Sequence, residues 1–258
     1  MRSSPFPCGR IGVVVDAVPD LSKTQVHKLG ERLVAKETTR KDLELLDQYR
    51  LSFGSAYEEV KRALVDELGL PLSGRPQKTT ESIVAKIQRE RTSLPRMQDI
   101  AGCRIVLPTC VDQDSAIQQI RQRFPGSRVT DRRDRPSHGY RAVHVIVSVS
   151  GKPVEVQVRT SLQDGWAQLS EKLSDIYGIE VKYGQGPDPA RDVLSIASAR
   201  IAELETLEQA VAVMDRDYPE YEQVAGRVET LKGELASGIQ KALTILDEMR
   251  SKGDDLLD

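Results

Sequence analysis

Val143-His144-Val145-Ile146-Val147-Ser148-Val149-Ser150-Gly151-Lys152-Pro153-Val154-Glu155-Val156-Gln157-Val158-Arg159-Thr160 is the stretch that decides the architecture. Val143, Val145, Val147 and Val149 alternate, as do Val154, Val156 and Val158, with Ser150-Gly151-Lys152-Pro153 between the two runs. Alternation at period two marks half-buried strands, and two such runs around a Gly-containing turn read as a β-hairpin. The second run places Glu155, Gln157 and Arg159 on the face opposite its valines. With the valines packed inward onto helices, three polar side chains stand in a row on the other face.

Working outward, Cys103 to Leu107 is another short apolar run of strand type, and a helical pattern follows over 112–123. Upstream, 21–68 reads as helix, with Leu46, Tyr49, Phe53, Tyr57, Val60, Leu64 and Leu68 on one face before Gly69 and Pro71 end it. Thr79 or Thr80 is placed to cap a short helix running to Arg91. Downstream, Trp166, Leu169 and Leu173 share a helical face, followed by the loop Gly184-Gln185-Gly186-Pro187-Asp188-Pro189. Two long apolar stripes come next, Leu194 to Met214 and Val224 to Leu246, separated by Asp217-Tyr218-Pro219-Glu220, which predicts a helical hairpin. The expected fold is α/β (α+β), a mixed sheet packed with helices and flanked by helical regions at both ends. It divides the chain into an N-terminal helical region over 1–72, a core over 73–183 and a C-terminal hairpin over 184–258.

Composition narrows the class. With 258 residues, 39% apolar and 29% charged, the chain is long enough for a full core and too apolar for disorder. No stretch approaches the ~20 apolar residues of a membrane span, and no membrane partner is expected. The three cysteines make neither a disulfide framework nor a Cys-x-x-Cys metal site, so a reduced, cytoplasmic setting is expected. The net charge of −2 hides a split. Residues 75–159 hold sixteen Lys and Arg against eight Asp and Glu, a net +8, which leaves −10 for the remainder. A basic centre between acidic ends reads as an anion site held in an acidic scaffold.

Four clusters lie inside the basic segment. Lys78, Ser82 and Lys86, with Arg75 before them, are four apart, so a helix through all three would line up two ammonium groups and a hydroxyl for a polyphosphate. Asp99, just before Gly102 and the strand, suits a magnesium ligand, although on local sequence alone a helix or turn cap is the favoured reading. Arg104 beside it is placed to stack on a base or reach a phosphate. Arg135-Pro136-Ser137-His138-Gly139-Tyr140-Arg141-Ala142-Val143-His144 combines two of the three histidines with an aromatic ring and two arginines. Glu155 needs a cation or donors to sit in a sheet, and magnesium shared with Asp99 would supply one. An amphipathic strand with its polar face in water is the plainer alternative.

Together these clusters resemble the synthetase domain of the RelA/SpoT alarmone synthetases. The resemblance rests on Asp99-Ile100-x-Gly102-x-Arg104-Ile105, Gly139-Tyr140-Arg141-x-x-His144, Glu155-Val156-Gln157-Val158-Arg159-Thr160 and Trp166-Ala167, and runs over about 75–177. It implies a nucleotidyltransferase-like core and transfer of the β,γ-pyrophosphate of ATP to the 3′-hydroxyl of GDP or GTP. It further implies that Asp99 and Glu155 hold Mg2+, with Glu155 orienting or deprotonating the attacking hydroxyl. Arg75 and Arg104 would clamp the adenine and Lys78, Ser82 and Lys86 the ATP phosphates. Tyr140 would stack on the acceptor base near His144, with Gln157 and Arg159 completing the polar face. Where family members commonly carry a lysine four residues before the tyrosine, this chain has Pro136, and phosphate contact is expected to shift to Arg135. Where many carry histidine two residues before Trp-Ala, it has Asp164.

No His-Asp dipeptide of the family's hydrolase domain occurs, so a small, synthetase-only member is expected. Two alternatives stand beside the leading reading. One is a toxin-like member that pyrophosphorylates the tRNA 3′ end or adenosine nucleotides, with an antitoxin partner. The other is a non-catalytic nucleotide sensor. Residues 199–258 carry seven basic residues against fourteen acids, which offers tRNA no basic track. The striped flanking helices leave a homo-oligomer open.

Overall fold

The computed structural model describes residues 20–74 and 77–254. In chain order the helices and strands are α1 (Lys23–Ala35), α2 (Arg40–Leu51), α3 (Gly54–Arg62), β1 (Leu72–Ser73), α4 (Thr80–Glu90), β2 (Ala101–Leu107), α5 (Cys110–Arg123), β3 (Arg128–Asp131), β4 (Val143–Val149), β5 (Lys152–Thr160), α6 (Ser161–Tyr177), α7 (Asp188–Ala212) and α8 (Tyr221–Asp254). The expected mixed α/β architecture is what the chain forms. Among the described residues no helix is long and apolar enough to cross a membrane.

The contacts divide the chain into two compact units. One joins the described residues up to Ser52 with Thr80–Arg96. In it α1 buries Val26, Leu29 and Leu33, α2 buries Leu46, and α4 buries Ile83 and Ile87. Ser22 and Thr39 close capping boxes that start α1 and α2. Asp42, the acidic member of the second box, also accepts from Arg32 Nε at 2.9 Å and is 4% exposed. That guanidinium holds the Asp42 carboxyl down at about 2. Because the folded value lies below the unfolded one, the stabilisation is full above the ordinary carboxylate range and is lost as pH falls from about 4 towards 2. Asp42→Asn is therefore expected to cost about 1 kcal/mol at neutral pH and to flatten the acid limb of the stability profile, read by denaturant titration at several pH values.

The other unit, Phe53–Thr79 with Met97–Asp258, carries the sheet. Its strand order is β1-β2-β5-β4-β3, with β2 and β5 parallel and the remaining pairs antiparallel. The valine hairpin forms as expected, tightened to a two-residue turn with positive φ at Ser150 (50°) and Gly151 (76°), so Lys152 and Pro153 already belong to β5. Register then sorts the residues by face. Cys103, Val156 and Val145 align across β2, β5 and β4 on the buried side. Arg104, Gln157 and His144 align on the opposite side.

The N-terminal stripe is not one helix. It breaks at Ser52-Phe53, so Leu46 fills the first unit's core while Phe53, Tyr57, Val60 and Leu64 fill the second's. A π-helical turn at Ala63–Glu67 then adds a residue to the repeat, and the buried position passes from Leu68 to Leu70. At the other end α6, α7 and α8 share a core of Trp166, Leu169, Leu194, Ile201, Ile239 and Leu243, among others. The predicted hairpin of two long helices is therefore present, and Tyr140 packs against its core.

Candidate active site

The row Glu155, Gln157, Arg159 exists, and it closes into a ring with the Tyr140 loop. Gln157 Nε2 donates to Glu155 Oε2 at 2.9 Å, and Arg159 Nη2 donates to Gln157 Oε1 at 2.8 Å and to the Tyr140 hydroxyl at 3.1 Å. The Tyr140 hydroxyl lies 2.8 Å from His144 Nε2, and His144 Nδ1 lies 2.9 Å from Glu155 Oε1. One arrangement of protons satisfies every bond. Arginine can only donate, so Tyr140 accepts from it, and with the proton of a neutral His144 on Nδ1 the Tyr140 hydroxyl donates to Nε2 and Nδ1–H to the carboxylate. Both branches thus start at Arg159 and end on Glu155.

Arg159 is 4% exposed and needs a counter-charge. Asp164 supplies it, one turn into α6, where the Thr160 capping box starts the helix. Asp164 Oδ1 is 2.8 Å from Arg159 Nη1 and 3.2 Å from Arg104 Nη1, and Oδ2 accepts from Gln168 at 2.7 Å. Two arginines share one carboxylate oxygen, so the cluster keeps a net positive charge. Arg159 lies with its guanidinium 5.4 Å from the centre of the Tyr140 ring. Burial lowers the Arg159 pKa, but Tyr140 and Asp164 outweigh it and the net direction is upward. Burial raises the Tyr140 pKa, against the pull of Arg159. Burial also pushes the Cys103 and Cys110 thiols up to about 12, so neither is a nucleophile at neutral pH.

Tyr140 is aimed by a tight turn. Ser137 and Tyr140 exchange backbone hydrogen bonds around His138 (φ 53°) and Gly139 (φ 92°). A Cβ at Gly139 would come within 2.8 Å of Trp166 Cζ2, and the left-handed φ adds strain for any L side chain. Gly139→Ala is expected to cost about 2 kcal/mol and to shift the emission of Trp166, measured by thermal unfolding with fluorescence detection.

At the other end of the row, the Lys78 amide donates to the Ile100 carbonyl at 2.8 Å, and Lys78 Nζ lies 3.3 Å from Asp99 Oδ2. Asp99 stands three residues before Gly102, the register partner of Glu155. A Cβ at Gly102 would lie 3.1 Å from the Glu155 carbonyl oxygen and 3.6 Å from its Cβ, so glycine lets β2 pass close to the Glu155 backbone. Two carboxylates with donor-rich neighbours suit Mg2+, which takes one or two carboxylates and fills its sphere with phosphate oxygens and water. Among the described residues no trio of His, Cys, Asp and Glu gathers as an all-protein metal cage.

Lys78, Asp99, Arg104, Tyr140, His144, Glu155, Gln157 and Arg159 thus lie in the sheet unit. Ser82 and Lys86 lie in the other, both half-buried on α4. No single helix runs through Lys78, Ser82 and Lys86: α4 begins at Thr80, and Lys78 lies before it with its amide donating to the Ile100 carbonyl. Arg135 is exposed in the loop before the turn, and Arg75 lies outside the described residues. The functions of Asp164 and Arg141 were not legible in sequence, since their partners are set by the fold.

Residues 74–179 match the family model described as the region found in RelA / SpoT proteins. Uncharacterised proteins of Mycobacterium bovis and of two Mycobacterium tuberculosis strains are 36% identical over 115 residues, covering 43% of this chain and 42% of theirs. Among solved structures, small alarmone synthetase 1 from Bacillus subtilis, bound to its product pppGpp, aligns with a TM-score of 0.51 at 23% identity, covering 64% of this chain and 97% of that one. A GTP pyrophosphokinase family protein from Streptococcus pneumoniae aligns with a TM-score of 0.50 at 25% identity, covering 73% and 98%. The chain therefore carries, over residues 74–179, the RelA/SpoT region its motifs led us to expect, on the fold of a small alarmone synthetase.

Proposed function

We propose that this protein transfers the β,γ-pyrophosphate of ATP to the 3′-hydroxyl of GDP or GTP, forming (p)ppGpp and AMP. The observation that carries the reading is the ring Tyr140-His144-Glu155-Gln157-Arg159 on the polar face of the sheet, with the Lys78–Asp99 pair near the start of β2. The acceptor's 3′-oxygen attacks the β-phosphorus, the bond from that phosphorus to the α,β-bridging oxygen breaks, and AMP leaves with the electron pair. The hydroxyl proton passes to Glu155, which His144 and Gln157 hold in place. Lys78 grips the donor phosphates and Arg104 the adenine. Tyr140 receives the acceptor base, and Arg135 faces the acceptor phosphates. Asp99 and Glu155 would hold Mg2+, which when bound neutralises phosphate charge. Positioning and charge neutralisation dominate such transfers, and the ring suits that demand because its side chains are already hydrogen-bonded.

Thin-layer chromatography of the purified protein with γ-labelled ATP and GDP, GTP, AMP or tRNA tests the acceptor. Label on GDP or GTP is the expected result. Label on tRNA or AMP alone would transfer the chemistry to those acceptors, and no label on any of them would leave a nucleotide sensor. Tyr140→Ala is expected to raise the acceptor KM by roughly tenfold while leaving the ATP KM near its original value, since base stacking contributes about 1–3 kcal/mol.

A further inference from the structure

A second polar chain runs behind the Tyr140 loop. Arg141 donates through Nε and Nη2 to Glu205 Oε2 at 3.0 and 2.6 Å. Glu205 Oε1 accepts from Gln163 Nε2 at 2.7 Å, and Gln113 Nε2 donates to Gln163 Oε1 at 2.9 Å and to the Val158 carbonyl at 2.8 Å. Glu205, Gln163 and Gln113 are 6%, 2% and 0% exposed. The chain fastens the residue after Tyr140 to α5, α6, α7 and β5 at once. The residue before Tyr140 is held by the same helix, because Ser198 Oγ donates to the Gly139 carbonyl at 2.8 Å. One turn earlier on α7, the Leu194 carbonyl accepts from Trp166 Nε1 at 2.8 Å, and Trp166 is the ring against which Gly139 sits.

We propose that Glu205 is a positioning residue for the acceptor. Through Arg141, and together with Ser198 at Gly139, α7 clamps both neighbours of Tyr140 and fixes its ring and hydroxyl. This rests on the reading that Tyr140 receives the acceptor. A carboxylate is required, because two donors converge on Glu205 from opposite sides. Glutamine offers one oxygen and one NH2 group, so either Arg141 or Gln163 would meet another donor. The change also leaves the half-buried Arg141 charge without its carboxylate partner. Helix α7 is then part of the acceptor site, acting through Arg141 and Gly139.

Trp166 is the only tryptophan and lies 6.2 Å from Tyr140 between ring centres, so it reports on the loop without any nucleotide. In Glu205→Gln, acrylamide quenching of Trp166 should rise by about twofold, and the acceptor KM by roughly tenfold, with kcat and the ATP KM within about twofold, the pattern of lost positioning for one substrate. Ser198→Ala, which keeps every charge, should move both readouts the same way by less, and it carries the test if Glu205→Gln does not fold. Unchanged quenching, or increased quenching with an unchanged acceptor KM, would overturn the proposal, and so would equal losses towards ATP and acceptor. If the wild-type protein transfers to no acceptor, the proposed function fails. The role for Glu205 in acceptor binding then falls with it, while quenching still shows whether the clamp exists.

Discussion

Glu155→Ala is expected to lower the transfer rate by about a thousandfold or more, the scale on which removing a single preorganised electrostatic group acts. Glu155 is where the geometry converges. It sits on β5 in register with Gly102 and receives hydrogen bonds from His144 and Gln157, with its side chain 13% exposed. Those bonds fix its orientation, as its proposed role as proton acceptor for the 3′-hydroxyl demands. Alanine removes the acceptor of two hydrogen bonds and costs about 1–3 kcal/mol of stability. The Arg159–Tyr140 and Arg159–Gln157 bonds remain, so the sheet persists. Transfer from γ-labelled ATP should vanish while the unfolding midpoint moves only a few degrees. Glu155→Gln separates charge from shape. Its amide would meet the His144 Nδ1–H or the Gln157 NH2, so the ring is disturbed and activity should stay near the alanine level. Near-normal transfer by either variant would rule out both the base and the metal-holding role for Glu155.

Legibility followed the range of the interactions. The valine alternation disclosed β4 and β5 because a period of two is local, and it also put Glu155, Gln157 and Arg159 on one face. The edge strands β1 and β3 were not foreseen, since Leu72–Ser73 and Arg128–Asp131 are short and carry almost no apolar signal. The stripe through Leu46, Phe53 and Leu64 was visible as periodicity, but periodicity does not say that two cores draw on it. Four-residue spacing suits one helix through Lys78, Ser82 and Lys86, but α4 starts at Thr80, where the alternative cap positions Thr79 and Thr80 put it. The motif stretch named most of the ring. Its supports, Asp164 between two arginines and Glu205 behind Arg141, depend on register and helix docking. Glu205 lies 64 residues from Arg141, and its neighbours Leu204 and Ile201 mark only a buried stripe, so no local pattern announces it.

Arg159→Ala is expected to produce the largest loss of stability, about 3 kcal/mol, the scale of breaking a buried charge pair. The side chain is 4% exposed and serves three partners, Asp164, Gln157 and Tyr140. Its removal leaves the Tyr140 oxygen and the Gln157 oxygen without their donor and leaves Asp164 to Arg104 and Gln168. The loss is held below the upper end of the range because Arg104 still neutralises Asp164 at 3.2 Å. For a chain of this size about 3 kcal/mol lowers the unfolding midpoint by roughly 6–12 °C, which calorimetry would read directly. Lysine is no remedy. One ammonium on a flexible stem cannot reach Asp164 on one side and Gln157 and Tyr140 on the other as a planar guanidinium does. Arg159→Lys should therefore recover little stability, and a full recovery would show that charge alone, rather than the fork of donors, holds the ring. The double change Arg159→Ala with Asp164→Asn decides between the two costs. Asp164→Asn removes a carboxylate that Arg104 still balances and does nothing for the orphaned oxygens, so the double variant should be no more stable than Arg159→Ala. A double variant more stable than Arg159→Ala would show that the lost charge pair, and not the Gln157 and Tyr140 bonds, carries the cost.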